Sequence, residues 1–402
     1  MKHKSTRLSH LGRGTAMPNL GSATVSPAIY RGSTLLSPTI DAHEAAAKPE
    51  TVRQRHHNGY GTGGTDTHKA LESMLSDLEE AEETVLFPSG LAAITTVLLA
   101  FCRAGDRLLI TDNAYSPARR FAEQVLAKLG VQVDFFDPQA PLEETEARIT
   151  PETRLMLLEA PGSLTFEMSD LRGLAALARQ KGVTTVMDNT WASPLYCQPL
   201  TLGIDLSLHA ATKYISGHSD LLMGSVSGNG ETIWRVREMH FLLGQSTSAD
   251  DVGLALRGMR TLAVRMPRHQ QSALALAHWL EGRAEVASVL HPALPSHPGH
   301  AFWQRDFSGA SGLFGLLLTP EFSDAQARAF CDALQLFGHG DSWGGYESLA
   351  MPRYHFTRSA KPWPFSEGLS GPLLRLNIGL EEIDDLRTDL EQGFAAMQQV
   401  EA

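Results

Sequence analysis

The chain has 402 residues, of which 43% are hydrophobic and 20% charged, and its formal net charge is −11. This ordinary globular composition argues against long disordered regions, and the length predicts two or more domains. Because the chain is acidic and contains no basic run, nucleic acid and anionic membranes are excluded as expected partners.

The cysteine pattern and the N-terminal stretch indicate the cellular compartment of the protein, which we expect to be reducing. Cys102, Cys197 and Cys331 are far apart and form no CxxC pair, which argues against a disulfide framework or a zinc–thiolate site. The opening MKHKSTRLSHLGRG is polar and lacks the apolar segment of a secretory signal. The longest strongly apolar run, TTVLLAFC, is too short to span a membrane. We therefore expect a soluble cytoplasmic protein.

Residues 1–60 are rich in Ser, Thr, Pro and Gly and show little periodicity. They predict an irregular arm with at most a short helix near residues 41–50, and such arms often pack on a second subunit. The next segment, residues 67–82, has Leu and Met side chains at helical spacing and predicts an amphipathic helix.

Apolar, β-rich runs then alternate with helical ones. The predicted strands cover residues 84–87, 106–112, 131–136, 153–161, 183–188, 205–210 and 221–228. Predicted helices cover residues 89–105, 116–130 and 169–182. This alternation predicts an α/β fold with a mostly parallel central sheet that helices cover on both faces. Ligands of such sheets bind beyond the carboxyl ends of the strands.

The pattern changes again near residue 251. A long helical stretch over residues 250–282 precedes a Pro- and His-rich segment, followed by two strand-like runs, SGLFGLLL and LLRLNIGLE, with a helix between them. This order predicts a smaller α+β C-terminal domain. The predicted organisation is an arm over 1–60, a large domain over 61–255 and the C-terminal domain over 256–402.

Two residues at strand ends carry the clearest chemical signal. Lys213 follows the predicted strand 205–210, and Asp188 ends the predicted strand 183–188. A partly dehydrated lysine has a lowered pKa, which makes its amine a usable nucleophile or base. Taken alone, Lys213 is explained better by an exposed strand-to-loop turn, and Asp188 equally well by a turn or a helix cap. Together they predict pyridoxal phosphate, which needs a lysine for its Schiff base and an acidic partner for its pyridine nitrogen.

The cofactor's phosphate and ring need further contacts. Ser89, Gly90 and Leu91 lie directly between a predicted strand and a helix, where free N–H groups attract an anion. Thr212 adds a hydroxyl beside the lysine, and Tyr115 follows another strand and is placed to lie on the ring. The alternatives are an ordinary helix cap and plain packing of the tyrosine.

In this order, these residues resemble the Cys/Met-metabolism family of pyridoxal-phosphate enzymes. The resemblance runs from about Tyr60 to near Phe394. The matching stretches are long and unusual, and include YGTGGTDTH, PSGLAAI, TDNAYSP, MDNTWASP, AATKYISGHSD, SWGGYESL and LLRLNIGLEEIDDL. The resemblance implies an aspartate-aminotransferase-like fold of type I and a homotetramer built from closely associated dimers.

The resemblance also implies roles for individual residues. Lys213 would carry the cofactor and act as base, Asp188 would pair with the pyridine nitrogen, and Tyr115 would stack on the ring. The remaining roles concern phosphate and substrate: phosphate binding by Ser89, Gly90, Leu91 and Thr212, and substrate binding by Arg375, Ser342, Trp343 and Tyr60. Tyr60 would also take part in catalysis by assisting proton or amine handling. A guanidinium at position 375 suits bidentate binding of the substrate α-carboxylate.

One position departs from the family pattern. In many members this tyrosine begins a Tyr-x-Arg motif, and the arginine of that motif reaches the phosphate of a neighbouring subunit. This chain retains Tyr60 but has Thr62 in place of the arginine. We expect a hydroxyl contact that is weaker than a charged one.

The implied activity is that of a carbon–sulfur lyase. It converts L-cystathionine by β-elimination into homocysteine, pyruvate and ammonia, in methionine biosynthesis. Trp343, directly after Ser342, favours this branch by resemblance. The alternatives that stay open are β-elimination from cysteine or its S-conjugates, a γ-acting reaction on the same scaffold, and a non-catalytic regulatory protein.

Two further patterns have simpler interpretations. His291, His297 and His300 suggest a metal site, but their stretch matches a family loop without a metal role, so we predict no metal. The acidic run EEAEE, residues 79–83, is interpreted as a solvated face.

Overall fold

The computed structural model describes residues 3–14, 16–17, 21–354, 358–360 and 370–400. The strands of these residues are β1 (Ala16–Met17), β2 (Ser22–Ala23), β3 (Glu83–Phe87), β4 (Arg107–Thr111), β5 (Gln132–Phe136), β6 (Thr153–Glu159), β7 (Thr184–Asp188), β8 (Leu206–Ala210), β9 (Gly224–Gly228), β10 (Val286–Leu290), β11 (Leu313–Leu318), β12 (Leu349–Arg353) and β13 (Leu373–Asn377). The helices are α1 (Lys4–His10), α2 (Ile40–Ala47), α3 (Pro49–Arg55), α4 (Asp66–Glu79), α5 (Gly90–Phe101), α6 (Ser116–Phe121), α7 (Leu142–Glu146), α8 (Leu171–Lys181), α9 (Ser193–Tyr196), α10 (Gly230–Leu242), α11 (Ala249–Glu281), α12 (His300–Asp306), α13 (Asp324–Asp332) and α14 (Ile383–Met397).

The large sheet has the strand order β3-β9-β8-β7-β6-β4-β5 among the described residues. The strands from β8 to β5 run parallel, and β9 is antiparallel to both of its neighbours. Its central strands are apolar on both faces, and residues 155–158 of β6 are all buried, because helices cover both sides. The predicted α/β fold with a mostly parallel sheet is confirmed.

A second sheet follows later in the chain. Its strands are antiparallel in the order β10-β11-β13-β12, and α11, α13 and α14 pack against it around a separate apolar core. Helix α11 runs through residues 255 and 256, where the boundary between two domains is predicted. The division into three parts therefore stays a prediction.

The prediction of at most one short helix in residues 1–60 is wrong. This segment contains α1, α2 and α3. Helix α1 is only seven residues long, and its Leu8 is fully buried in a cluster with Leu71 and Met74 of α4. Arg7 forms an ion pair of 2.6 Å with Asp77. These tertiary contacts stabilise a helix too short to show periodicity.

Two predicted elements are shorter than expected. The helix predicted over 116–130 is α-helical only to Phe121 and continues as a π-helical and then a 3₁₀ turn. The strand predicted over 221–228 begins only at Gly224. A Cβ at Gly224 would lie 2.3 Å from the Ser89 carbonyl oxygen, so this close approach of two backbones requires glycine.

The interpretation of residues 79–83 as a solvated face is confirmed for Glu80 and Glu82, which are exposed, and is wrong for Glu79 and Glu83. The side chains of Glu79 and Glu83 are 0% and 6% exposed. Glu83 forms an ion pair with Arg237 of α10, and Glu79 is hydrogen-bonded to His209 of β8. Because both partners are distant in sequence, the local charge pattern does not reveal this burial.

The three histidines considered as metal ligands lie in packed surroundings. Burial lowers the pKa of His291 to about 3 and that of His297 to about 4. No group of three or more His, Cys, Asp or Glu side chains in the described ranges is placed to hold a metal ion, and the absence of a metal remains a prediction. Within the same ranges, no helix combines the length and apolar character that crossing a bilayer requires.

Candidate active site

The carboxyl edge of the large sheet brings the predicted cofactor residues together. Strands β6, β7 and β8 are adjacent, with Glu159 opposite Asp188 and Asp188 opposite Leu208. The chain leaves β8 at Ala210 and reaches Lys213 within one turn, where the Lys213 N–H donates to the Ala210 carbonyl at 3.0 Å. An acid and a lysine separated by 25 positions therefore lie at the same edge, as the parallel topology requires.

The Lys213 side chain lies in a partly dehydrated position. Its Nζ donates to the Ser342 hydroxyl at 2.6 Å and lies 5.3 Å from the centre of the Trp343 ring. Burial, together with the nearby charge of Arg375, lowers the pKa of Lys213 to about 8. The lowered pKa increases the fraction of uncharged amine at neutral pH.

The Asp188 carboxylate is fixed by its own loop. The backbone N–H of Thr190 donates to Asp188 Oδ1 at 3.0 Å, and the Thr190 hydroxyl donates to the same oxygen. Burial raises the pKa of Asp188, while the Thr190 hydrogen bonds and the charges of His209 and Lys213 oppose that rise. Asp188 is thus a partly buried carboxyl whose ionised form depends on its neighbours.

Arg375 reaches this site from the second sheet. It lies on β13, and its Nη2 donates to the Ser342 carbonyl at 3.1 Å and lies 3.8 Å from Asp341. Burial lowers the pKa of Arg375 to about 10. Ser342 has a φ of +113°, which residues with a side chain rarely adopt and which is concentrated at functional sites.

Helix α5 points its N-terminus at the end of β8. Its N-cap Ser89 accepts a hydrogen bond from the Ala92 N–H at 3.0 Å, whereas the N–H groups of Gly90 and Leu91 have no hydrogen-bond partner among the described residues. A Cβ at Gly90 would lie 2.6 Å from the Ala210 Cβ, so only glycine permits this approach. The result is a pair of free donors at a helix N-terminus, suited to an anion.

The other predicted ring and phosphate contacts flank these groups. Thr212 lies beside Lys213, with its hydroxyl hydrogen-bonded to the Met223 backbone at 3.0 and 3.2 Å. Tyr115 is 43% exposed at the start of α6. Burial raises the pKa of Tyr115, and the charge of Asp188 adds to the rise.

The structure adds an acidic residue that sequence reasoning missed. Glu159 ends β6 and accepts the Tyr115 backbone N–H at 2.6 Å. Burial and the charge of Asp188 raise the pKa of Glu159 well above its usual value. A signal was present, because the predicted strand over 153–161 carries this acid near its carboxyl end. Asp341, beside Arg375, had no comparable signal in the sequence.

Tyr60 and Thr62 are not brought into this cluster within the chain. Tyr60 is 51% exposed, and the Thr62 hydroxyl accepts a hydrogen bond from the Asn58 amide at 3.0 Å. No hydrogen bond among the described residues joins either side chain to Lys213 or Asp188. Their role at a phosphate therefore stays a prediction that requires a second subunit.

Comparison with known proteins identifies the family. The model of the family described as "Cys/Met metabolism PLP-dependent enzyme" matches residues 8–395. The chain belongs to this family. The resemblance inferred from the motifs is thereby confirmed, and pyridoxal 5′-phosphate is the cofactor.

The names of relatives of this PLP-dependent enzyme state more than one activity. A putative cystathionine beta-lyase of Rhizobium johnstonii is 44% identical over the full length of both chains, and a cystathionine beta-lyase of Bordetella avium is 43% identical over 98% of each. An L-alanine/L-glutamate racemase of Wolbachia pipientis is 38% identical over 93% of each.

A solved structure confirms the predicted fold of type I. The crystal structure of a cystathionine gamma-lyase from Lactobacillus plantarum, complexed with L-serine, matches with a TM-score of 0.86 and 30% identity. The match covers 99% of this chain and all of the other.

The residues present fit the cofactor of this PLP-dependent enzyme. An amine of lowered pKa at Lys213 suits covalent attachment, and the partly buried Asp188 carboxylate suits a protonated ring nitrogen. The unpaired N–H groups of Gly90 and Leu91 suit a phosphate. All of these groups belong to elements that meet at the carboxyl edge of the sheet.

Proposed function

We propose that the protein is a cystathionine β-lyase, which cleaves L-cystathionine with water into homocysteine, pyruvate and ammonia. The observation that carries this proposal is the contact of the Lys213 amine with Ser342, whose carbonyl in turn accepts a hydrogen bond from Arg375. An amine that can take a proton thus lies beside a guanidinium that can bind a carboxylate. The names of the relatives at 44% and 43% identity support the reaction type.

Arg375 is assigned to the substrate α-carboxylate. Its guanidinium is mostly buried, with a side-chain exposure of 12%, and its present acceptors are backbone carbonyls. A carboxylate that replaces them forms charge-assisted, two-point hydrogen bonds, which are stronger and fix its orientation. The α-carbon of the substrate is thereby oriented relative to Lys213.

Lys213 is assigned to proton transfer at the substrate α-carbon. When bound, pyridoxal phosphate supplies an electron sink for the negative charge that develops at that carbon. Lys213 Nζ accepts the α-proton, which its lowered pKa favours near neutral pH. The Cβ–S bond then breaks, the thiol leaves, and hydrolysis of the remaining three-carbon unit gives pyruvate and ammonia.

The alternative reactions differ in the step that follows removal of the α-proton. A γ-lyase cleaves the Cγ–S bond of cystathionine and gives cysteine and 2-oxobutyrate, and a racemase returns the proton to the opposite face. The racemase name of the Wolbachia relative makes that last reaction a specific alternative. Other cysteine thioethers remain candidates for the thiol side of the substrate.

Product analysis decides between these reactions. We expect the holoenzyme with L-cystathionine to release pyruvate, homocysteine and ammonia in equal amounts, measured by chromatography of the keto acids and thiols. Release of 2-oxobutyrate with cysteine would instead establish a γ-lyase. Conversion of L-alanine or L-glutamate into the D-isomer, without either keto acid, would replace the proposal with racemisation.

The exposed Tyr60 segment is proposed to complete the site of a neighbouring subunit in a homotetramer of paired dimers. We expect Thr62→Arg to tighten cofactor binding by about tenfold. A charge-assisted hydrogen bond contributes about 1.5–3 kcal/mol against about 1 kcal/mol for a neutral one, and about 1.4 kcal/mol corresponds to one decade of affinity. The measurement is the cofactor dissociation constant, with the oligomeric state determined in parallel.

A neutral control distinguishes the effect of the added charge from the effect of the longer side chain. Thr62→Gln extends the side chain without adding a charge, so we expect a gain well below that of Thr62→Arg. The arginine's advantage is also expected to decrease at high salt if its charge is partly exposed. Unchanged affinity of the Thr62→Arg protein in an intact oligomer would show that the phosphate is already fully bound or that this segment does not reach it.

A further inference from the structure

A charged pair next to Arg375 has no part in the proposed reaction. Arg353 of β12 donates from its Nη2 to Asp341 Oδ1 at 2.7 Å, and Arg375 Nη2 lies 3.8 Å from the same oxygen. Arg375 Nη2 also donates to the backbone carbonyl of Ser342, the residue after Asp341. The loop that carries this acid is thus held against two guanidinium groups.

The strand register places both guanidinium groups on one face of the second sheet. Met351 of β12 lies directly opposite Arg375 of β13, and Arg353 follows Met351 by two positions. Side chains two positions apart on a strand share a face, and so do directly paired residues, so Arg353 and Arg375 project from the same side. Because Arg375 is assigned to the substrate α-carboxylate, Arg353 is a second cation beside that group.

Both members of the pair retain unused hydrogen-bonding groups. A guanidinium has five N–H donors, and Arg353 Nε is buried without a hydrogen-bond partner among the described residues. The Asp341 side chain is 82% exposed, and its contacts with Arg353 and Arg375 both use Oδ1. Within the described ranges, no hydrogen bond or ion pair occupies Asp341 Oδ2. The hydrogen bond from Arg353 lowers the pKa of Asp341, so this carboxylate is ionised at neutral pH.

We propose that Arg353 and Asp341 bind the far end of the substrate, Arg353 through its carboxylate and Asp341 through its ammonium. L-cystathionine carries both groups at each end, and only one end can occupy Arg375. Both new contacts are charge-assisted hydrogen bonds, and the Arg353–Asp341 bond can persist because the ligand uses other atoms of each partner. This inference rests on the proposed function and names its substrate class, which is cysteine thioethers with a second amino-acid group.

Four thioethers of L-cysteine test the assignment in the wild-type holoenzyme. L-cystathionine carries both far groups, S-(3-aminopropyl)-L-cysteine only the ammonium, S-(3-carboxypropyl)-L-cysteine only the carboxylate, and S-propyl-L-cysteine neither. All four contain the same Cβ–S bond, so kcat/KM is measured from pyruvate release. We expect kcat/KM to fall by about tenfold for each far group that is removed, because each removal abolishes one charge-assisted hydrogen bond.

Two variants assign the individual contacts. Arg353→Met should cost the two substrates with a far carboxylate about tenfold more in kcat/KM than the two without it, and Asp341→Asn should do the same for the two with a far ammonium. Both groups also influence the pKa of Arg375, but that effect is common to all four substrates, which share the α-carboxylate, and S-propyl-L-cysteine measures it. Arg172→Met is the control, because Arg172 of α8 pairs with Asp306 at 2.8 Å, and it should leave all four values unchanged.

The outcomes distinguish failure of this inference from failure of the proposed function. If the wild-type protein releases pyruvate from all four thioethers with similar kcat/KM, or if each variant lowers the four values equally, Arg353 and Asp341 do not bind the far end. The wild-type comparison needs no variant, so it decides the matter even if a variant fails to fold. If the wild-type protein forms no pyruvate, the proposed function is wrong. The same ratios are then taken from inhibition constants of the four thioethers against the reaction found, and equal constants would reject the role of the pair as well.

Discussion

Replacing Lys213 with alanine is expected to abolish turnover and to leave the cofactor without a covalent link to the protein. The substitution removes both the attachment point and the amine that accepts the α-proton. Since positioned proton transfer contributes about 10²–10⁴-fold to a rate, its loss alone removes most activity. The substitution also removes the hydrogen bond to Ser342 and the contact with the Trp343 ring.

Two measurements check this expectation. Turnover of cystathionine is followed by pyruvate release, and borohydride reduction followed by peptide mass spectrometry locates the pyridoxyl group. Lys181→Ala is a suitable control, because Lys181 is a half-exposed residue at the end of α8 that pairs with Glu146. It should retain the label on Lys213 and full activity. Recovery of the pyridoxyl group on any other lysine of the wild-type protein would show that the attachment site was misassigned.

Replacing Asp188 with asparagine is expected to lower the rate by roughly a thousandfold or more, which corresponds to about 4 kcal/mol of transition-state stabilisation. The side-chain oxygen of asparagine can still accept both hydrogen bonds from Thr190, so the loop geometry is retained. A neutral amide, however, cannot balance a protonated ring nitrogen. Negative charge at the substrate α-carbon is then stabilised far less.

An aspartate with the same kind of hydrogen bonds, next to the same sheet, provides the control. Asp205 accepts the backbone N–H and the hydroxyl of Thr185 at 2.7 and 2.8 Å, as Asp188 does from Thr190, but it lies before β8, away from the carboxyl edge. With equal cofactor content, Asp205→Asn should turn over at nearly the wild-type rate. An Asp188→Asn enzyme within about tenfold of wild type would contradict the pairing of this residue with the ring nitrogen.

Errors of the sequence interpretation arose where a partner is distant in sequence. The run of residues 79–83 contains four acids and predicts a solvated face, yet Glu79 and Glu83 are buried against His209 and Arg237. Helix α1 is too short to show periodicity, and a single buried leucine and an ion pair with α4 stabilise it. Charge and hydropathy patterns describe a side chain, whereas burial depends on which element packs over it.

The sequence by itself determined the alternation of strands and helices, the parallel sheet, and the strand-end positions of Lys213 and Asp188. The strands and helices follow from local sequence patterns. Their alternation along the chain implies a parallel sheet, and residues that follow parallel strands lie at the same edge of that sheet. The family motifs added the cofactor. Only the tertiary structure showed that Ser342 contacts the Lys213 amine and accepts a hydrogen bond from Arg375, that Glu159 lies opposite Asp188, and that His209 of β8 and Glu79 of α4 form a buried hydrogen bond. The physical reason is that desolvation and Coulomb interactions act across space, so the pKa of Lys213 depends on neighbours that its own strand does not contain.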